Sequence, residues 1–150
     1  MLVEFPLRNT QIIGNIGLYY VCYELSVRAW NVMQTARNAK GPDVLIYNHD
    51  ASRTLTIQVK TLTGKTNVRF GKSKEIFGNF LVICLRFTEP VCFVLPTEEV
   101  GRLARSNKKR THFWLEPRDY DKDQYRDNWE RIGWGGHPPV EATVPDMGEV

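Results

Sequence analysis

The sequence predicts an α/β (α+β) fold, with a mixed central sheet flanked by helices. Apolar residues first recur at spacings of three and four, and after Trp30 the pattern turns to short alternating or continuous apolar runs bounded by turn residues. A second helical segment then appears beyond residue 96, so helices lie on both sides of the strands along the chain.

Thr10 to Arg28 carries Ile12, Ile16, Tyr19, Tyr20, Tyr23 and Val27 along one helical stripe, which makes it the expected first helix with that stripe turned to the core. Gly14 and Gly17 lower its intrinsic propensity, so either the helix starts later or the glycines admit another backbone closely. Strands are expected at Asn31 to Ala36, Asp43 to Asn48 and Arg53 to Thr61, with HDAS as the turn between the last two. Leu55, Ile57 and Val59 alternate with Thr56, Gln58 and Lys60, giving the third strand one apolar and one polar face.

Leu62 to Ser73 is polar, basic and glycine-containing, as an exposed loop would be. Phe80 to Phe87 and Val91 to Leu95 predict a hairpin of buried strands joined across TEP. Thr97, followed by Glu98 and Glu99, predicts a helix to about Ser106. A strand near His112 to Leu115 and a helix near Asp121 to Arg131 complete the order α-β-β-β-β-β-α-β-α.

With 150 residues, 42% hydrophobic and 25% charged, the composition is that of a globular chain with one core. One domain is expected over residues 1–132, followed by an irregular tail, 133–150, rich in glycine and proline. No apolar run approaches the roughly 20 residues of a membrane helix. MLVEFPLRNTQ lacks the layout of an export signal, so no membrane association and a cytoplasmic location are expected. Cys22, Cys84 and Cys92, odd in number and without CxxC spacing, read as reduced core thiols. No glycine-rich phosphate loop, nucleophile elbow or zinc-ligand pair is present.

The most informative segment is GPDVLIYNHDASRTLTIQVKT. Asp43 opens one strand while Gln58 and Lys60 share a face of the next, so pairing of the two strands would bring the three side chains to one edge of the sheet. Phosphodiester hydrolysis needs such a set: oxygen ligands for a divalent cation, and a lysine beside the attacking water.

These residues resemble the signature of the PD-(D/E)XK nuclease superfamily, an aspartate at a strand start followed by an acidic-x-lysine triplet on the next strand. Pro42-Asp43 and Gln58-Val59-Lys60 occupy those positions. The resemblance extends over residues 14–62, and looks closest to archaeal Holliday-junction resolvases and methylation-dependent restriction endonucleases. It implies a restriction-endonuclease-like core and a metal-dependent DNA endonuclease-like protein, acting on branched or otherwise structured DNA. It also implies Mg2+ or Mn2+ held by Asp43, Gln58 and the Val59 carbonyl, with Lys60 orienting water. Action as a homodimer is a further implication, because both strands must be cut.

Two departures stand out. Gln58 offers a neutral oxygen where the superfamily has a carboxylate, and Leu18 falls where the first helix would carry a glutamate. Glu24 is the only acidic residue in that helix, six positions from Leu18 and about 120° around it, so it is the candidate for a migrated ligand. The alternative is a degenerate nuclease-fold domain that binds nucleic acid or a protein partner without cleavage; a third class is an inhibitor or immunity-type scaffold.

The net charge of +3 is small, so its distribution matters more than its sum. Lys65, Arg69, Lys72 and Lys74 follow the third strand, and Arg37, Asn38 and Lys40 precede Asp43; all are candidate nucleic-acid contacts. Arg102, Arg105, Lys108, Lys109 and Arg110 form a second basic group with no acidic residue among them. Glu116 to Arg131 is mainly acidic and is expected to face away from nucleic acid. His49 reads as a turn residue, and Trp114, Trp129 and Trp134 as packing anchors of the last helix.

Overall fold

The computed structural model describes residues 10–36, 41–72, 76, 78–85 and 89–137. The first helix, α1 (Thr10–Val27), leads into three strands, β1 (Asn31–Gln34), β2 (Val44–Tyr47) and β3 (Thr54–Leu62). These pair antiparallel in sequence, and β3 then pairs in parallel with β5 (Phe80–Leu85), which turns back as β6 (Val91–Pro96). The result is a five-stranded mixed sheet of order β1-β2-β3-β5-β6.

A second sheet joins β4 (Val68–Gly71), β8 (Phe113–Leu115) and β7 (Arg105–Ser106), in the order β4-β8-β7. Two short helices, α2 (Thr97–Leu103) and α3 (Pro117–Tyr120), and a 3-10 turn at Trp129–Arg131 complete the described elements. No helix among the described residues is long and apolar enough to cross a membrane.

The core has two halves, one on each face of the main sheet. Val21 and Leu25 of α1 pack with Val44, Ile46, Ile57, Val82, Cys84, Cys92 and Trp129 on one face. On the other, Leu81, Ile83, Leu85, Phe93 and Leu95 meet Val68, Val100, Leu115 and Tyr120, so the small sheet and α2 form the second covering layer. The cysteines are free; Cys84 and Cys92 face each other across β5 and β6.

The buried stripe of α1 is Gly17, Val21 and Leu25, and not the one that carries Ile12, Tyr19, Tyr23 and Val27, which are exposed. Both stripes are apolar, and the choice falls to the one containing glycine because smallness permits contact: a Cβ on Gly17 would overlap the Thr61 side chain of β3. Gly14 has open space around it, and its carbonyl accepts from the Thr61 hydroxyl at 3.5 Å.

Two other expectations are corrected. The basic loop after β3 contains β4, a strand that buries one side chain, Val68, and pairs with β8, far later in the chain, by the register Val68↔Leu115. The helix expected at Asp121 to Arg131 does not form. Its backbone instead covers the free edge of β6: Val94 N–H donates to the Tyr125 carbonyl, Cys92 N–H to Asp127 Oδ1, and Asp127 N–H to the Cys92 carbonyl. An edge strand needs such partners more than the segment needs helical ones. Tyr125 and Trp129 are both buried from this irregular path.

Residues 133–137 are tied to the end of α1. Trp30 Nε1–H donates to the Gly133 carbonyl at 2.9 Å, Gly135 N–H donates to the Arg28 carbonyl, and His49 N–H donates to the Gly135 carbonyl. The tail residues 138–150 lie outside the described residues.

Replacing Gly17 by Ala is expected to lower stability by about 1–3 kcal/mol through overpacking, whereas Gly14→Ala is expected to be neutral or to add up to about 1 kcal/mol. Urea unfolding of the two variants checks the contrast. A second prediction concerns Asp119, buried and held in a two-pronged pair with Arg105 Nε and Nη2, each at 2.8 Å. That pair holds the Asp119 carboxyl below its ordinary value. A lowered folded-state value means the contribution is complete above the ordinary aspartate range near pH 4 and is lost as pH falls through the lowered value. Asp119→Asn should therefore destabilise at neutral pH, with the gap to the unmodified protein closing in acid, as read by urea midpoints across pH.

Candidate active site

Asp43 sits where β2 meets β3. Its N–H donates to the Ile57 carbonyl at 2.9 Å, and its Oδ2 accepts from Val59 N–H at 2.7 Å, so the residue brackets Gln58 from both sides. The regular register pairs Val44 with Ile57, and the extra bond from Asp43 to the same carbonyl sets two residues of one strand against one of the other, as in a β-bulge.

Pro42 marks where the β2–β3 ladder stops. Continuing the pairing of Val44 with Ile57 by two residues would put Pro42 opposite Val59, and proline has no N–H to give the Val59 carbonyl. The ladder therefore ends at this point, and the Asp43 side chain takes the Val59 N–H in place of a backbone oxygen. A strand residue's N–H and C=O leave from the same edge, so the Val59 carbonyl lies on the edge that Asp43 occupies.

Gln58 and Lys60 lie beside Leu81 and Ile83 in the parallel register, on the face of the second core, and both are half-buried. They are separated by two residues of strand, about 6.6 Å at roughly 3.3 Å per residue. Lys60 makes no ion pair among the described residues. Asp43 is thus placed against the stretch of β3 that carries Gln58, Val59 and Lys60. The aspartate also has a structural duty, the Val59 N–H, which Pro42 could have signalled.

Glu24 is placed elsewhere. It accepts from Arg28 Nη1 at 2.7 Å, and Arg28 in turn lies over the Trp129 ring at 5.4 Å from its centroid. Burial, and a hydrogen bond to Glu24, push the Tyr20 phenol well above its ordinary value. Among the described residues no three His, Cys, Asp or Glu side chains stand together as a metal-binding group.

The donors at the ladder end are all oxygens: one carboxylate, one backbone carbonyl and one neutral amide. That set fits Mg2+ or Mn2+, hard cations that bind through as few as one or two carboxylates and keep several waters, with the affinity reduced by the amide.

Of the basic candidates, Lys65 Nζ is bound to Asp121 Oδ2 at 2.6 Å, whereas Arg69 and Lys72 are exposed and make no ion pair among the described residues. Arg37, Asn38, Lys40 and Lys74 lie outside the described residues. His49 is in the turn after β2. Trp129 is a core residue, Trp134 is 45% exposed, and Trp114 lies on β8 between Arg69 and Arg105.

No family model and no curated protein matches this sequence. Solved structures do. The bacterial homing endonuclease I-Ssp6803I superposes with a TM-score of 0.55 at 18% identity, over 83% of this chain and 92% of that one. The Holliday junction resolvase Hjc of Archaeoglobus fulgidus, an archaeal hyperthermophile, superposes with a TM-score of 0.50 at 13% identity, over 72% of this chain and 87% of that one. The chain therefore has the restriction-endonuclease-like fold. Both of these neighbours are nucleases of that fold.

If Glu24 is only a structural partner of Arg28, Glu24→Ala should lower stability by about 1–3 kcal/mol by leaving the guanidinium unpaired, and leave manganese affinity unchanged. Urea unfolding and calorimetric titration of the same variant read the two quantities separately.

Proposed function

We propose that this chain is a metal-dependent endonuclease acting on DNA, with Asp43 at its centre. The observation that carries this reading is the bracket that Asp43 makes around Gln58, its N–H on the Ile57 carbonyl and its carboxylate on the Val59 N–H, in the strand that continues to Lys60. The likeness to a junction resolvase supports branched or otherwise structured DNA as the substrate.

Asp43, the Val59 carbonyl and the Gln58 side-chain oxygen would hold Mg2+ or Mn2+. When bound, such a cation polarises the scissile phosphate and makes its bound water more acidic. Lys60 donates hydrogen bonds to the attacking water or a phosphate oxygen and offsets the negative charge that grows in the transition state. Asp43 is held in place by the Val59 N–H, so little ordering is needed when substrate arrives.

A second reading is a degenerate domain that binds nucleic acid or a protein without cutting. It is favoured by one observation, that Glu24 is committed to Arg28 while Leu18 and Gln58 supply no charge, so Asp43 is the one carboxylate among the candidate residues at the ladder end.

Manganese titration by calorimetry and cleavage of labelled branched DNA separate the two. The nuclease reading expects binding by the unmodified chain that is lost in Asp43→Ala. It also expects cleavage reduced about 100-fold or more in Asp43→Ala and in Lys60→Ala. Salt-dependent DNA binding with neither metal binding nor cleavage would establish the degenerate domain instead.

A further inference from the structure

Two basic groups that are 30 or more residues apart in sequence become neighbours in the small sheet. Gly71 of β4 and Ser106 of β7 both pair with Phe113, so Lys72, which follows Gly71, lies at the same end of the sheet as the β7–β8 turn. That turn carries Lys108, Lys109 and Arg110, all exposed. Arg69 pairs with Trp114 on the face opposite the buried Val68, Phe113 and Leu115.

Charge balance sets this end apart. Most other basic residues of the region are matched, Lys122 excepted: Arg102 with Glu98, Arg105 with Asp119 and Glu116, Arg118 with Glu116, Lys65 and Arg126 with Asp121. Arg69, Lys72, Lys108, Lys109 and Arg110 make no ion pair among the described residues. Three consecutive cations without a carboxylate repel one another, a cost that an anionic ligand would remove.

The turn is also ordered in advance. Asn107 Oδ1 accepts from Thr111 N–H at 2.8 Å and His112 N–H at 3.1 Å, and Asn107 Nδ2–H donates to the Thr111 hydroxyl at 2.8 Å. Arg110 N–H closes the turn on the Asn107 carbonyl at 3.0 Å, with Arg110 in the left-handed region at φ 52°. A side-chain-capped turn presents its three cations with little backbone entropy left to lose on binding. The row of charges spans a turn tip and a strand end, which suits a line of phosphates better than a single small anion.

We infer that this end of the small sheet, Lys108, Lys109 and Arg110 with Lys72 and Arg69, is a docking site for the phosphodiester backbone of duplex DNA. The inference rests on the nuclease reading and adds to it a contact made apart from Asp43. It assigns this surface to backbone contact, without base readout.

The test measures binding of a labelled duplex by fluorescence anisotropy in EDTA over a range of salt. Compared are the unmodified chain, a tip variant (Lys108→Gln, Lys109→Gln and Arg110→Asn, asparagine tolerating the left-handed backbone) and a control, Arg102→Gln with Arg118→Gln, which removes paired charges. The tip variant should lose at least about tenfold in affinity at low salt, and its slope of log K against log salt should fall by about 2 to 3, at roughly 0.9 per phosphate. The control should change neither. Far-ultraviolet circular dichroism and manganese titration of the tip variant should match the unmodified chain.

Equal affinity and slope in the tip variant would overturn the docking site and leave the nuclease reading standing. A loss of the same size in the control would overturn it too, by showing a general charge effect. An unmodified chain that binds no duplex at low salt would overturn the docking site, while the nuclease reading stands or falls on manganese binding and cleavage of branched DNA.

Discussion

Strand β3 is hydrogen-bonded on both sides, antiparallel to β2 and parallel to β5, and each of its faces has a different obligation. Ile57, Val59 and Thr61 lie under α1, whose close approach depends on the missing side chain of Gly17. Gln58 and Lys60 lie on the opposite face, beside Leu81 and Ile83, where the second layer begins. A slip of one residue in this strand would put the polar pair under the helix and the aliphatic pair in the site, so the core and the candidate chemistry are set by the same register.

The site follows from how β2 stops against that strand. The ladder stops at Pro42, which has no N–H for the Val59 carbonyl, and the Val59 N–H takes the Asp43 carboxylate as its partner. A carboxylate bound to a backbone N–H is oriented without help from a neighbouring cation, and its position is as firm as the strand beneath it. Glu24 shows the contrary arrangement. Its charge is matched by Arg28, and the pair is packed against Trp129 and Tyr20 in the other half of the core.

The remaining layers deal with backbone groups that the main sheet leaves open. Residues 125–127 close the outer edge of β6, and the ends of α1 and β2 are joined through Gly133 and Gly135. The small sheet covers the second face with Val68 and Leu115 and turns its outer face and its β7–β8 turn to solvent. On that outer surface the ion pairs of Asp119, Glu116 and Asp121 absorb most nearby cations, which is why the unmatched ones gather at one end.

The sequence by itself determined the main-sheet strands and the placing of Asp43 beside the strand that carries Gln58 and Lys60, because a period of two and a polar-apolar alternation are local features that survive into the fold. It could not decide which apolar stripe of α1 is buried, since both stripes are apolar and only the facing Thr61 selects the one with Gly17. Nor could it show β4, or replace the last helix with an edge cover. Val68 gains its partner from Leu115, and residues 125–127 gain theirs from β6, across distances in the chain that no local period records. Tertiary structure also decided which charges are free, because an ion pair depends on where two side chains meet in space, as Lys65 with Asp121 and Arg131 with Glu99 both show.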